Sequence, residues 1–355
     1  MSRPLLLVTN LVPPDRVGAL RALDEREGLE VAIYDGRLHH ATGGVEDPGV
    51  PFVRIGQRQA FSLAASGRYR AVIATSAGRL ALPAAYLGAR RAGVPFVYWT
   101  GIWHQVATPA HLAAAPLVRW IEGHADAVVT YGPHVADYVA GHGAANVHSA
   151  PQAVDVSFWS GAADGVAVRE RLGSPPFLLA FAGRDRPGKG LATALEAWQQ
   201  AGVKGVFALA GIEPGEAPAT GPDVAALGML GPGALRDLFA AADAVVIPSE
   251  PTAAFREPWA LVANEAMLQG VPVVATDAVG AAAGGLVRDQ QTGLVVPAHD
   301  AGALAAAIGR LAADPELRSA LGEQGRAEAL TYDFEAWVQA FSRALESAGA
   351  GKASC

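Results

Sequence analysis

Residues 257–270 read EPWALVANEAMLQG and hold two carboxylates, Glu257 and Glu265, eight positions apart in an otherwise apolar run. Pro258 suits the first position of a helix and Gly270 the position just past its last turn, so the pattern predicts a helix that begins beside Glu257. The two glutamate Cα atoms would then lie roughly 12 Å apart along the axis, at ~1.5 Å per residue. A glycosidase pair holds its carboxyl groups about 5 to 9.5 Å apart, so this spacing does not suit one. It suits the two ends of one elongated ligand, with an anion held between them by the free N–H groups of the first helical turn. A nucleotide sugar has that form, with sugar hydroxyls, a diphosphate and a ribose diol in line, and carboxylates accept hydrogen bonds from diols.

The stretch FAGRDRPGKG supplies the matching cations. An apolar strand ends in Ala182 and Gly183 and releases Arg184, then Lys189 five positions later, from a glycine-containing loop. Cations at the C-terminal edge of a parallel strand stand where such sheets bind ligands, and a guanidinium with an ammonium neutralises a diphosphate. A second cluster, Trp99, Trp103 and His104, follows another strand. It reads either as a cap on the core or as an acceptor platform, since aromatic faces pack on sugar rings. His39 and His40 are adjacent in RLHHATGG, which reads as a loop, and carry no further metal-ligand pattern. No Asp-x-Asp motif occurs, so no metal-diphosphate motif of that kind is present.

These residues need strands to aim them, and the chain supplies a long series. PLLLVTN, LEVAIYD, AVIATS, PFVYWT and ADAVVTYG are followed by FLLAFAG, VFALAG, ADAVVIPS, PVVATDA and GLVVP, with alanine-rich helical stretches between. Continuous apolar runs bounded by turn residues suit strands buried on both faces, and the intervening lengths suit right-handed crossovers. The expected class is α/β, with two doubly wound, Rossmann-like parallel-sheet domains facing a cleft. The strand series restarts near residue 175, which places the linker around 150 to 160. The domains are drawn as 1–155 and 156–332. A last amphipathic helix within 333–355 sets Phe334, Trp337, Val338, Phe341 and Leu345 on one face and must dock on something.

Composition narrows the setting. The chain has 355 residues, 51% hydrophobic and 17% charged, enough for two cores. Its single cysteine, Cys355, allows no internal disulfide and fits a reducing compartment. The start lacks the features of a secretory signal, and no apolar run approaches the roughly 20 residues that span a bilayer. A cytoplasmic protein is expected. A net charge of -7 argues against nucleic-acid affinity. Residues 48–121 nevertheless carry eight arginines, no lysine and no acid. That segment reads either as solvated helix faces or as a surface for an anionic acceptor or the inner face of an anionic membrane.

FAGRDRPGKGLATALEAW, ALGMLGPGALRDLFAAADAVVIPSE and REPWALVANEAMLQGVPVVATDAVG, in that order, resemble the donor half of the retaining glycosyltransferases of family 4, which have the GT-B fold. The resemblance covers roughly residues 175 to 330; residues 1–150 share only the pattern. It implies that Glu257 meets the donor sugar, Glu265 the ribose, and Arg184 with Lys189 the diphosphate. Gly211, Met229 and Leu230 would line the base, Pro258, Trp259, Ala260 and Leu261 the phosphate side. The double glycine that the family often uses in its first loop is reduced here to Gly18, the one position left for that phosphate contact. The resemblance also implies that the last helix crosses back onto the first domain. Two further departures stand out: the family often has glycine where this chain has Ala260, and a histidine near Gly101, where the nearest here is His104.

The function so implied is bacterial, metal-independent and free of cofactors. A hexosyl unit would pass, with retention, from a nucleoside diphosphate sugar, UDP before GDP, to a cell-envelope polysaccharide, lipid-linked or natural-product acceptor. A noncatalytic nucleotide-sugar-binding subunit and a nucleotide-sugar 2-epimerase are the alternatives. A nicotinamide dehydrogenase is disfavoured, because no Gly-x-Gly-x-x-Gly follows either domain's first strand.

Overall fold

Every one of the ten apolar runs forms a parallel strand in the computed structural model, which describes residues 3–34, 45–215, 221 and 223–351. His39 and His40 lie outside the described residues. The chain divides into two units, Met1–Val154 with Asp333–Cys355, and Asp155–Tyr332.

In the first unit the elements run β1 (Leu5–Thr9), α1 (Val17–Glu27), β2 (Leu29–Tyr34), β3 (Phe52–Ile55), α2 (Gln59–Ala64), β4 (Ala71–Thr75), α3 (Ala81–Ala92), β5 (Phe96–Thr100), α4 (Pro109–His124), β6 (Ala127–Thr130), α5 (Pro133–Ala140) and β7 (Val147–Ser149). Among the described residues they build a seven-stranded parallel sheet in the order β3-β2-β1-β4-β5-β6-β7. Successive side chains of a strand point to opposite faces. Leu5 and Leu7 accordingly join one core and Leu6 and Val8 the other, so β1 reads as unbroken apolar sequence. Helices α2 to α5 contribute to the second core.

The second unit runs α6 (Val156–Trp159), α7 (Gly165–Arg171), β8 (Leu178–Ala182), α8 (Leu191–Ala201), β9 (Val206–Ala210), β10 (Val224–Ala226), α9 (Pro232–Ala241), β11 (Ala244–Ile247), α10 (Val262–Leu268), β12 (Val273–Thr276), α11 (Gly280–Ala283), β13 (Leu294–Val296), α12 (Ala301–Ala313) and α13 (Pro315–Ala329). Its six-stranded parallel sheet has the order β10-β9-β8-β11-β12-β13. The connectivity reverses direction between β8 and β11. In an open α/β sheet the crevice at such a reversal, beyond the carboxyl ends of the strands, is where ligands bind.

The last helix, α14 (Phe334–Ser347), packs on the first unit, against α1, β6 and β7. Asp333 caps it by accepting from the Ala336 amide. Trp337, Phe341 and Leu345 are buried in the same core as Leu5 and Leu7, each worth roughly 1.5 to 3 kcal/mol by area removed from water. Among the described residues no helix is long and apolar enough to cross a membrane.

Candidate functional site

The two loops that leave β8 and β11 bring the expected charges together at the reversal of the second sheet. Lys189 extends from the first loop, and its ammonium is ion-paired with the Glu257 carboxylate. Glu257 is 7% exposed, and the same Oε2 also accepts from the Ser249 hydroxyl at 3.1 Å. Ser249 is itself buried, and its carbonyl accepts from the Thr276 hydroxyl on β12. The pair is therefore held from three consecutive strand ends, β8, β11 and β12. The Lys189 ammonium lies 5.5 Å from the centroid of the Phe255 ring, a second favourable contact for a cation.

Glycines permit this close approach. Gly188 and Gly190 flank Lys189 with φ of +90° and +68°, and a Cβ on Gly190 would stand 1.8 Å from the Pro248 carbonyl oxygen. The Glu250 amide donates to the Gly188 carbonyl at 2.9 Å and ties the two loops together. Glu250 also accepts from Thr193, and its other oxygen lies 3.2 Å from His299 Nδ1.

Arg184 lies five residues before Lys189 in the same loop. With Asp185, Arg186, Gly211, Ile212, Glu213 and Met229 it lines a cavity of about 490 Å³ beyond β8 and β9. Gly211 has φ +90°, and a Cβ there would meet the Gly183 carbonyl oxygen at 2.5 Å. Its amide donates to the Gly228 carbonyl, while the Met229 amide donates to Glu213 at 3.3 Å. Met229 is exposed and Leu230 half-buried beside it.

The predicted helix from Pro258 does not form. Residues 257–261 precede α10, whose first residue is Val262, with Leu261 as its cap. Ala260 takes φ +76°, a left-handed conformation that interrupts any helix started at Pro258. The Gly280 and Ala281 amides of α11 donate to the Glu257 and Trp259 carbonyls and hold the stretch extended. Trp259 is buried and donates through Nε1 to Asn264 at 2.8 Å. The separation of the two glutamates along one helix axis therefore does not apply. Glu257 lies in the loop, and Glu265, half-buried, lies in the first turn of α10. Beside Glu257, burial lowers the Arg256 pKa, with Asp277 opposing the shift.

The aromatic cluster is split. Trp99 is only 4% exposed and packs in the core under α14, its ring centroid 5.6 Å from Trp337 and 5.2 Å from Phe341. It is not part of an exposed platform. Trp99 shares its sheet face with Val97, and the α14 stripe covers that face. Trp103 packs on the opposite core, edge-on to His134 at 4.7 Å, and His104 next to it is half-buried. Above Trp99 stands Arg16, 4.6 Å from the ring centroid, which donates to the buried Gln152 at 2.8 Å. Gly18 lies in α1, where a Cβ would meet the Phe334 ring at 2.3 Å. A side chain there would have to displace the Phe334 ring. Among the described residues no group of three or more His, Cys, Asp or Glu side chains is placed to hold a metal ion.

Comparison with known proteins agrees with this fold. The Anabaena Alr3699/HepE structure in complex with UDP superposes with a TM-score of 0.80 at 20% identity, over 97% of this chain and 100% of that one. Sucrose-phosphate synthase from Thermosynechococcus elongatus gives 0.75 at 22% identity, over 98% and 100%. The fold is GT-B. Within this GT-B chain, residues 168–328 match the family model described as Glycosyl transferases group 1. Among curated proteins, the D-inositol 3-phosphate glycosyltransferase of Corynebacterium jeikeium (strain K411) is 36% identical over 118 residues, 32% of this chain and 26% of that protein. The protein of the same name from Salinispora arenicola (strain CNS-205) is 37% identical over 135 residues, 37% of this chain and 25% of that protein. The matched part spans about a quarter of those relatives.

Sequence reasoning missed Ser249, Glu250, Phe255, Asp185, Arg186 and Glu213. Their signal was positional: each lies in a loop directly after β8, β9 or β11, at the edge where such sheets bind ligands.

Proposed function

We propose that this chain is a glycosyltransferase that takes a hexosyl unit from a nucleoside diphosphate sugar, UDP before GDP, and transfers it with retention and without a metal. The observation that carries the proposal is the Lys189–Glu257–Ser249 group at the reversal of the second sheet, beside the cavity lined by Arg184 and Gly211. The match of residues 168–328 supports it, as do the UDP and UDP-glucose complexes of the Anabaena neighbour.

In this reading the base lies along Gly211, Met229 and Leu230, and Glu265 accepts from the ribose diol. Arg184 and Lys189 hold the diphosphate, Glu257 meets the sugar, and Pro258, Trp259, Ala260 and Leu261 shape the phosphate side. The bond from the sugar C1 to the diphosphate oxygen breaks, and the two cations stabilise the negative charge that develops on that oxygen. The acceptor oxygen bonds to C1 from the same face, and its proton passes to the departing diphosphate. An α-linked donor then gives an α-linked product. The first unit supplies acceptor contacts, with Trp103 and His104 as its candidates. The curated relatives' name, D-inositol 3-phosphate glycosyltransferase, supports a hydroxylated, phosphorylated acceptor.

A panel of UDP and GDP sugars, with nucleotide release followed in the absence of acceptor, tests this. Slow release from one donor, lost in Glu257→Gln, is expected. Tight binding without release, with or without acceptors, would favour the noncatalytic subunit, and release of a free 2-epimer the epimerase.

A further inference from the structure

Helix α4 is apolar on both of its sides, and only one side is buried. Its inward residues Val118 and Ile121 join the core of α2 to α5. On the outward side Leu112, Leu117 and Trp120 are exposed at 50%, 48% and 46%, and Ala113 and Pro116 complete the same stripe at spacings of one and three. A helix apolar all round is expected to be covered on both sides. The adjacent helix continues the surface: Trp120 packs edge-on to Tyr86 of α3, and Leu87 beyond it is 54% exposed. Exposed aliphatic and aromatic side chains gathered on two neighbouring helices mark an interaction site.

The charges on this face select the partner. Arg91 of α3 and Arg119 of α4 are exposed and form no ion pair among the described residues, and Arg119 donates to the neutral Gln105 at 2.8 Å. The nearby acids are mostly occupied. Glu122 is buried against His142 at 2.7 Å, Asp126 pairs with Arg90 at 3.0 Å, and Asp137 on α5 is the exposed exception. Arginines with no acid partner, beside a Leu–Trp stripe, are complementary to an anionic interface, with the tryptophan at headgroup level and the leucines below it. We propose that the outer face of α3 and α4 docks on an anionic lipid bilayer. This surface lies in the first unit and does not depend on the donor-site reading.

The test is sedimentation of the full chain with vesicles of phosphatidylcholine alone or with about a third phosphatidylglycerol. The chain should sediment only with anionic vesicles at about 0.1 M salt and leave them at about 1 M, where the Debye length falls from ~10 to ~3 Å. Arg91→Ser with Arg119→Ser should lower partitioning by about fivefold for each arginine lost. Leu112→Ser with Leu117→Ser should lower it by tenfold or more while leaving the melting temperature unchanged. Three outcomes would overturn the proposal: negligible or equal binding to both vesicle types, variants that bind like the parent, or dimerisation that the leucine variant abolishes. Donor hydrolysis measured without vesicles reports on the enzyme reading separately.

Discussion

The Lys189 ammonium is shared between two demands, because the carboxylate it pairs with is the group assigned to the donor sugar. A diphosphate drawn to Lys189 must compete with Glu257. Glu257→Gln should therefore bind free UDP several-fold more tightly than the parent while turning over the nucleotide sugar far more slowly. Lys189→Ala and Arg184→Ala should each weaken UDP by tenfold or more, since a charge-assisted hydrogen bond is worth about 1.5 to 3 kcal/mol. Calorimetric titration of the three variants checks both statements. Weaker UDP binding in Glu257→Gln would show that the carboxylate supports the nucleotide rather than competing with it. Ala260 gives a separate prediction. Its φ of +76° penalises any residue with a Cβ, so Ala260→Gly should stabilise the protein by about 1 kcal/mol in denaturant titration.

At the level of elements, the ten buried strands were legible because their apolar runs are unbroken, which follows from having helices on both faces. Strands β3, β7 and β10 were not. They are edge strands of three or four residues with half-buried or exposed side chains, too short and too mixed to separate from loops. The start of α10 was misread because Pro258 and Gly270 are genuine helix punctuation, whereas the φ of Ala260 and the α11 amides that hold the loop are tertiary facts. That loop depends on Gly280, where a Cβ would stand 1.9 Å from the Pro258 carbonyl oxygen. Gly280→Ala should cost about 1 to 3 kcal/mol of stability and reduce donor turnover by moving Glu257. Asp155 offers a pH test. It caps α6, and hydrogen bonds from Ser157 and the Phe158 amide lower its pKa below the ordinary 3.8. A depressed folded pKa stabilises the protein above the unfolded value and loses that contribution as pH falls through the folded one. The parent should lose stability below about pH 4 faster than Asp155→Ala, which at neutral pH is weaker by about 1 kcal/mol. Parallel acid-dependent slopes would remove the role given to this cap.

Across the whole molecule, the restart of the strand series made two Rossmann-like sheets readable in advance; the apolar stripe of the last helix implied only that it docks, and the family resemblance supplied its return to the first domain. Arg184 and Lys189 stood out in the sequence as cations released by a strand, and Glu257 by its spacing from Glu265; in the structure the first two follow β8 and the third follows β11. Their contacts were not legible, since the Lys189–Glu257 pair joins residues far apart in sequence through glycines whose need is set by neighbouring backbone. Trp99 was misplaced for the related reason that burial by α14 depends on docking, not on the local pattern. The central claim is that the second sheet's reversal holds a nucleoside diphosphate sugar and labilises its sugar. The most direct measurement is nucleotide release by the full chain across UDP and GDP sugars, run beside Lys189→Ala and Glu257→Gln. Slow release from one UDP sugar, weakened binding in the first variant and lost turnover in the second are expected. A folded parent chain that neither binds nor hydrolyses any donor in the panel would contradict that claim.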